Sequence, residues 1–269
     1  MKRVITLITD FGTQDAYVGI MKGVILSINP EVQIVDITHE IEPGDIYTAA
    51  FLLKDAYSFF PKGTIHVAVI DPGVGGERRA IAVRIKDYFF VGPDNGLFWP
   101  IISENKDALV IHLTNKKYFL PDISTTFHGR DIFAPVAAYI SKGVEITDMG
   151  VLIDDPVRIE LKKAVFERDK IIGQAIRTDR FGNIITNISK EDLLHFFGDT
   201  SQLEVYIDGI KIPNISKCYS EVDLGKFLAL IGSSGLLEIS VNMGNAFKLL
   251  NKELKNIKIE VRKAKSSSP

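Results

Sequence analysis

Cysteine is almost absent from this chain. Cys218 stands alone, so no internal disulfide and no multi-cysteine metal site is available. The five histidines include no HxH or HExxH spacing, which argues against zinc. No stretch approaches the ~20 apolar residues that a membrane-spanning helix needs. The net charge of −2 offers none of the basic surplus that nucleic-acid binding shows. The start, Met1-Lys2-Arg3-Val4-Ile5-Thr6-Leu7-Ile8-Thr9-Asp10, is basic and then apolar like a signal peptide. Its apolar run is short, however, and meets Asp10 without a small-residue cleavage site. These absences lead to the expectation of a cytoplasmic protein with no nucleic-acid, membrane or metal partner.

What is present is ordinary globular material. Over 269 residues, 46% are hydrophobic and 25% charged, enough for one large domain or two modest ones. Short apolar runs rich in β-branched residues, such as Val4 to Thr9, Val32 to Ile37 and Thr64 to Ile70, alternate with helical patterns over Asp15 to Ile28, Ile46 to Phe60 and Asp131 to Ser141. Further runs cover Ala80 to Ile85, Tyr88 to Val91 and Leu109 to Leu113. Continuously apolar strands between helices predict an α/β domain over 1–158, a mostly parallel sheet with helices on both faces. From about 165 to 262 the segments become short strands separated by turn residues: Ile171 to Ile176, Asn183 to Ile188, Leu203 to Ile207, Lys211 to Ile215, Leu236 to Val241 and Ile257 to Val261. One brief helix falls among them, over Glu191 to Phe197. That pattern predicts a smaller, β-rich, barrel-like domain. The serine-rich segment 263–269 reads as a disordered tail.

Ligands of open α/β sheets bind beyond the carboxyl ends of the strands, and Asp10, Asp36 and Asp71 all fall at such ends. An aspartate there also serves simply to cap the next turn or helix, and Asp36 is read that way. Asp10 lies in Thr9-Asp10-Phe11-Gly12-Thr13, where a ligand can approach the backbone while the carboxylate takes both hydroxyls of a ribose diol. The loop Gly73-Val74-Gly75-Gly76 permits close backbone approach but has neither dinucleotide nor P-loop spacing. Asp71 and Arg78 flank it, either as an ion pair clamping the loop or as working groups. His128, in a loop with few apolar neighbours, favours the second; His39, His66, His112 and His195 read as structural. In the second domain, Asp179 and Asn183 can bind an amine or amide edge and Phe181 can stack on a base, although a plain hairpin uses the same residues. Gly232-Ser233-Ser234-Gly235 precedes the strand bearing Glu238 and Asn242, and can hold a carboxylate or make a plain turn.

Five motifs then recur in one order: Asp71-Pro72-Gly73-Val74-Gly75 with Arg78, Gly92-Pro93-Asp94-Asn95-Gly96, Phe127-His128-Gly129-Arg130-Asp131, Asp179-Arg180-Phe181-Gly182-Asn183 and Ser233-Ser234-Gly235-Leu236-Leu237-Glu238. From Ile5 to about Val261 the chain resembles the S-adenosyl-L-methionine hydroxide adenosyltransferases, relatives of the fluorinases and chlorinases. The resemblance implies an α/β domain followed by a barrel-like one, and a homotrimer with active sites between subunits. It implies that water or hydroxide attacks C5′ of S-adenosyl-L-methionine to give adenosine and L-methionine, with no cofactor. Asp71, Arg78 and His128 would then activate water, and Asp10 would hold the ribose. Asp179 and Ser233 would hold the methionine amino and carboxylate groups. Phe181, Asn183 and Tyr219 would surround adenine, with backbone near Asn242 reading its edge. Asp94, Asn95 and Glu238 are counted with these substrate-binding residues. Where halogenases carry serine then arginine, this chain has Ser233-Ser234. A non-catalytic S-adenosylmethionine or adenosine sensor and a halide-using 5′-halogenase are the alternatives.

Overall fold

The computed structural model describes residues 3–264, and the chain divides into two compact units, Met1–Glu160 and Leu161–Pro269. The first unit begins with β1 (Val4–Thr9), α1 (Tyr17–Ile28), β2 (Gln33–Thr38), α2 (Ile46–Ala56) and β3 (Ile65–Val69). It continues with β4 (Ala80–Ile85), β5 (Tyr88–Pro93), α3 (Trp99–Ile102), β6 (Leu109–Leu113), α4 (Ala134–Ser141) and β7 (Gly150–Ile153). The strands form one sheet in the order β2-β1-β3-β5-β4-β6-β7. β2, β1, β3 and β5 are parallel, and each later pairing is antiparallel, so five of the seven strands run one way.

Both faces of this sheet are covered, as the continuous apolar strands require. On one side Val18, Met21 and Ile25 of α1 and Val136, Ala137 and Ile140 of α4 pack on Ile5, Leu7, Ile65 and Val67. On the other, Ala49 and Leu53 of α2 and Ile101 of α3 pack on Ile8, Ala68, Ile70 and Phe90. Asp45 caps α2 by accepting from Thr48 N at 2.9 Å. Asp36 does no capping: it lies inside β2 and pairs with Lys22 and His39. The reading of Asp36 as a turn or helix cap is therefore corrected, because the strand runs two residues beyond it.

The second unit comprises β8 (Val165–Phe166), β9 (Lys170–Thr178), β10 (Ile184–Ser189), α5 (Lys190–Phe197), β11 (Leu203–Ile207) and β12 (Ile210–Ile212). After these come β13 (Ile215–Ser216), β14 (Phe227–Ile231), β15 (Leu236–Val241), α6 (Ala246–Leu250) and β16 (Lys258–Lys263). The strand path β12-β11-β16-β9-β10-β15-β14-β13 curls until β12 meets β14 and β11 meets β13, a nearly closed barrel around Ile184, Val205, Leu237, Ile239 and Ile259. Pro213, with no N–H to donate, splits the strand expected over Lys211 to Ile215 into β12 and β13. Ser189 and Asp192 form a reciprocal capping box on α5. Lys263, assigned on sequence to the tail, pairs with Leu203 at the end of β16; residues 265–269 lie outside the described residues. Among the described residues no helix is long and apolar enough to cross a membrane.

His66 in β3 is a titratable group inside the first core. It is fully buried, its Nδ1 lies 2.7 Å from Thr6 Oγ1, and its ring stacks on Phe90 at 5.2 Å with Tyr57 and Phe60 edge-on. Burial lowers its pKa from 6.5 to about 3. The unfolded chain then binds the proton more readily than the folded one. Its contribution is complete above pH 6.5 and falls by ~1.4 kcal/mol per pH unit as pH drops toward about 3. Replacement His66→Phe is expected to flatten the pH dependence of unfolding free energy between pH 6.5 and 5. Urea titrations at several pH values measure it, and parallel slopes for the two proteins would contradict this account.

Candidate active site

β3 delivers the chain to Asp71. Asn95 donates from Nδ2 to the carbonyl of Ile70 at 2.8 Å, which fixes the backbone immediately before the carboxylate. The glycine loop then turns twice, with Val74 N donating to Asp71 O and Gly76 N to Gly73 O. Gly75 has φ +77°, and a Cβ there would stand 2.0 Å from the carbonyl oxygen of Thr125. Only a residue with no side chain lets this loop lie against the segment leading to His128.

The two loops meet at Arg78. Its Nε donates to Asp71 Oδ1 at 2.9 Å, and its Nη2 donates both to Asp71 Oδ2 and, at 2.8 Å, to His128 Nδ1. The guanidinium also faces the Phe133 ring at 5.4 Å. Side-chain exposure is 4% for Asp71 and 11% for Arg78, so the pair is held largely out of water. An arginine has donors only, so His128 Nδ1 must accept. The imidazole is then neutral and carries its proton on Nε2. Burial first, and the Arg78 charge second, hold His128 below its ordinary value of 6.5; Asp71 and Asp131 oppose that shift.

His128 is held from behind. It leads into a single π-helical turn, Gly129–Phe133, a feature frequent at functional sites. Asp131, with no exposed surface, accepts from Ser124 N at 2.8 Å and from Arg130 Nε at 2.5 Å, tying the ends of the His128 loop together. Asp10 lies on the neighbouring loop after β1, where Oδ2 accepts from Gly44 N at 2.9 Å. Phe11 and Tyr17 stand 6.0 and 5.1 Å from the Phe127 ring, so aromatic contacts join the Asp10 and His128 loops.

Other expected site residues of this unit have structural employment. Asp94 is buried; its Oδ2 meets Arg79 Nε at 2.8 Å and Nη2 at 2.6 Å, and its Oδ1 accepts from Val157 N at 2.8 Å. Asn95 is committed to Ile70 O and accepts from Leu97 N at 3.3 Å. Both brace the loop that carries Asp71.

The second unit gathers its own group. Asp179 Oδ1 accepts from the backbone N–H groups of Phe181 and Asn183, each at 2.9 Å, and Oδ2 accepts from Asn183 Nδ2 at 2.8 Å. This turn leaves Phe181 74% exposed, free to stack. Buried Glu238 accepts from Tyr219 and Ser240 hydroxyls, each at 2.8 Å. Burial, then the hydrogen bond to Glu238 and the charges of Glu238 and Asp179, raise the Tyr219 phenol to about 12. Ser233 belongs to the turn closed by Gly235 N donating to Gly232 O, and a Cβ on Gly232 would lie 2.8 Å from Glu238 Oε2. Asn242 spends its side chain on Val222 O and both backbone groups on Gly225 and Lys226.

Sequence reasoning quoted Asp131 in a motif without giving it a role, and passed over Phe133 and the bracing part of Asn95. Asp131 had a visible sign, an acid in the first turn after a loop; the other two had none, because their partners lie far along the chain.

Comparison with known proteins places the chain in a family. Residues 5–150 match the SAM hydroxide adenosyltransferase N-terminal domain and residues 173–257 the C-terminal domain of the same name. A protein of Methanocaldococcus jannaschii named (R)-S-adenosyl-L-methionine hydrolase is 43% identical over 262 residues, covering 92% of each chain. A Thermus thermophilus protein of the same name is 34% identical, covering 92% of this chain and 95% of its own. A fluorinase of an Actinoplanes species is 27% identical, covering 89% of this chain and 91% of its own. A crystal structure of an uncharacterized conserved protein from Thermotoga maritima superposes with a TM-score of 0.89 at 36% identity, covering 96% of this chain and all of that one.

The Gly75 contact gives a direct check. Gly75→Ala is expected to destabilise the protein by ~2 kcal/mol and to separate the two loops, since it adds both a backbone clash and a strained φ. Thermal unfolding together with hydrogen exchange at residues 71–78 measures it; unchanged protection there would show that the loops do not depend on this approach.

Proposed function

The chain belongs to the SAM hydroxide adenosyltransferase family, and on that premise we propose that it hydrolyses S-adenosyl-L-methionine to adenosine and L-methionine. The observation that carries the reading is the closed set Asp71–Arg78–His128, in which one guanidinium joins a carboxylate to a neutral imidazole.

The chemistry asks for little acid catalysis. Sulfur leaves C5′ as the neutral thioether of methionine, keeping the electron pair of the broken C–S bond. What the site must supply is a water held in line with that bond, ~3–3.5 Å from carbon. Water also becomes strongly acidic as its oxygen bonds to carbon, so a weak base suffices to take the proton. His128 has no free lone pair while Arg78 holds Nδ1, and its Nε2–H is a donor. Asp71 keeps unused lone pairs on both oxygens beyond those facing Arg78, and is the proton acceptor in this reading. Arg78 and His128 supply fixed donors that hold the nucleophile, and partial exclusion of water strengthens them.

The remaining contacts follow from charge and shape. Asp10, with one oxygen used by Gly44, presents the other to the ribose diol. Asp179, Glu238 and Ser233 take the methionine amino and carboxylate groups; the two acids accept from neutral donors and suit an ammonium. Exposed Phe181, Asn183, Tyr219 and backbone near Asn242 take adenine. Homotrimeric assembly, with sites formed between subunits, and a cytoplasmic setting belong to the same reading.

The test is product analysis with purified protein and S-adenosyl-L-methionine, in halide-free buffer and in chloride. Adenosine and methionine are expected in both, with turnover reduced at least ~100-fold by Asp71→Ala or His128→Ala, the scale typical of losing general-base or electrostatic help. Chlorinated nucleoside would transfer the reading to halide chemistry, and binding without product would make the chain a sensor.

The pH profile adds an independent check. His128 must be neutral to accept from Arg78, and its pKa lies below 6.5. Its form competent for Arg78 is therefore complete above 6.5 and lost as pH falls through that lowered value. The acid limb of kcat assigned to His128 by comparison with His128→Asn is expected to have its midpoint below 6.5; a midpoint above it would contradict the assigned tautomer.

A further inference from the structure

Three groups outside the water-activating set form a chain that ends beside Asp10. Thr9, fully buried at the end of β1, places Oγ1 2.8 Å from Nδ1 of His39. His39, 5% exposed, sets Nε2 3.1 Å from Asp36 Oδ1, close enough for an ion pair though not aligned as a hydrogen bond. Asp36 Oδ2 accepts from Lys22 Nζ of α1 at 2.6 Å. Thr9 Oγ1 and His39 Nδ1 thus share one hydrogen bond, and the Asp36 carboxylate faces the opposite ring nitrogen. Thr9 Oγ1 in turn accepts from Phe11 N at 3.3 Å.

The segment bearing His39 holds the Asp10 loop at two further points. Gly12 N donates to His39 O at 2.8 Å, and Gly44 N donates to Asp10 Oδ2 at 2.9 Å. Residues 39–44 therefore hold Thr9, Asp10 and Gly12 in succession, and His39 is the side chain that anchors this grip to β2 and α1 through Asp36 and Lys22. A structural histidine in an apolar core needs no such succession; His66, the other buried one, has only Thr6 as hydrogen-bond partner for Nδ1 and aromatic rings around it.

We infer that Thr9, His39 and Asp36 are positioning residues that hold the free oxygen of Asp10 for a vicinal diol, so that the protein selects nucleosides with both the 2′ and 3′ hydroxyls. This rests on the ribose role proposed for Asp10, and extends it to residues that touch no substrate. Loss of the relay lets the Asp10 carboxylate rotate or retreat, and the penalty falls on ligands that use the diol. Ligands without it have nothing to lose.

The experiment compares adenosine with 2′,3′-dideoxyadenosine by calorimetry on the full chain. Wild-type protein is expected to prefer adenosine at least ~10-fold, as for one bidentate charged contact. Asp10→Ala should abolish that preference. Thr9→Val, which keeps the shape and removes the hydroxyl, should weaken adenosine at least five-fold and leave dideoxyadenosine unchanged; Thr9→Ser should restore the wild-type ratio. Asp36→Asn, at a half-exposed position where misfolding is less of a concern, should move the ratio in the same direction as Thr9→Val. If Thr9→Val weakens both nucleosides equally, or neither, the inference is wrong and the residues only support the fold. If wild type binds both equally, the diol role of Asp10 fails and takes the inference with it. Turnover of S-adenosyl-L-methionine by wild type, measured alongside, reports on the reaction separately from either result.

Discussion

Arg78 is the cation on which the site depends. Its guanidinium lies between Asp71, seven residues earlier, and His128, fifty residues later, and joins two loops that no backbone hydrogen bond could align at the level of single side-chain atoms. Breaking such a largely buried pair by removing one partner leaves an uncompensated charge, a far larger penalty than losing an exposed ion pair. The same arrangement dictates the tautomer of His128, because a group with donors only forces its partner to accept. Geometry, charge and proton position thus follow from one side chain.

The scaffold supplies what that cation requires. The parallel part of the first sheet brings the ends of β1 and β3 side by side, and from those ends come Asp10 and Asp71. Loop glycines are used for proximity: Gly75, after β3, meets the backbone of Thr125, and Gly182 in the second unit closes on Asn245. Behind the acting groups stand residues whose hydrogen bonds face inward, Asn95 on Ile70, Asp131 on Ser124 and Asp94 on Val157. They keep loops stiff that would otherwise be the most mobile parts of an α/β unit.

Much of this architecture was legible in the chain. Val4–Thr9 has the bounds expected of it, because a buried parallel strand is apolar throughout and needs no alternation to be seen. Gly150–Ile153 was missed because it is an edge strand whose Val151 and Leu152 are more than half exposed, so it carries no burial signal. Phe227–Ile231 is apolar enough to have been recognised, but it follows a long turn-rich stretch that hides its start. Asp71, Arg78 and His128 stand out by loop position and residue type, and the structure brings the three side chains together. Asp94 stands out only through the family motif, and its carboxylate meets Arg79 and Val157: a motif aspartate shows that a carboxylate is needed, not which donor it meets. Asp36 and His39, both read as merely structural, form a chain of contacts to the Asp10 loop.

By itself, then, the sequence determined the two-part organisation, the alternation that makes the first sheet, and the order of the motifs that identifies the family. Those are properties of local pattern: periodicity, turn chemistry and residue type act over a few positions at a time. The tertiary structure alone decided that Arg78 reaches His128, that Asn95 meets Ile70 and Asp94 meets Arg79 and Val157, and that Thr9 meets His39. Each is a contact between residues distant in the chain, set by strand register and by where a missing Cβ lets two backbones touch, and no short-range pattern encodes it.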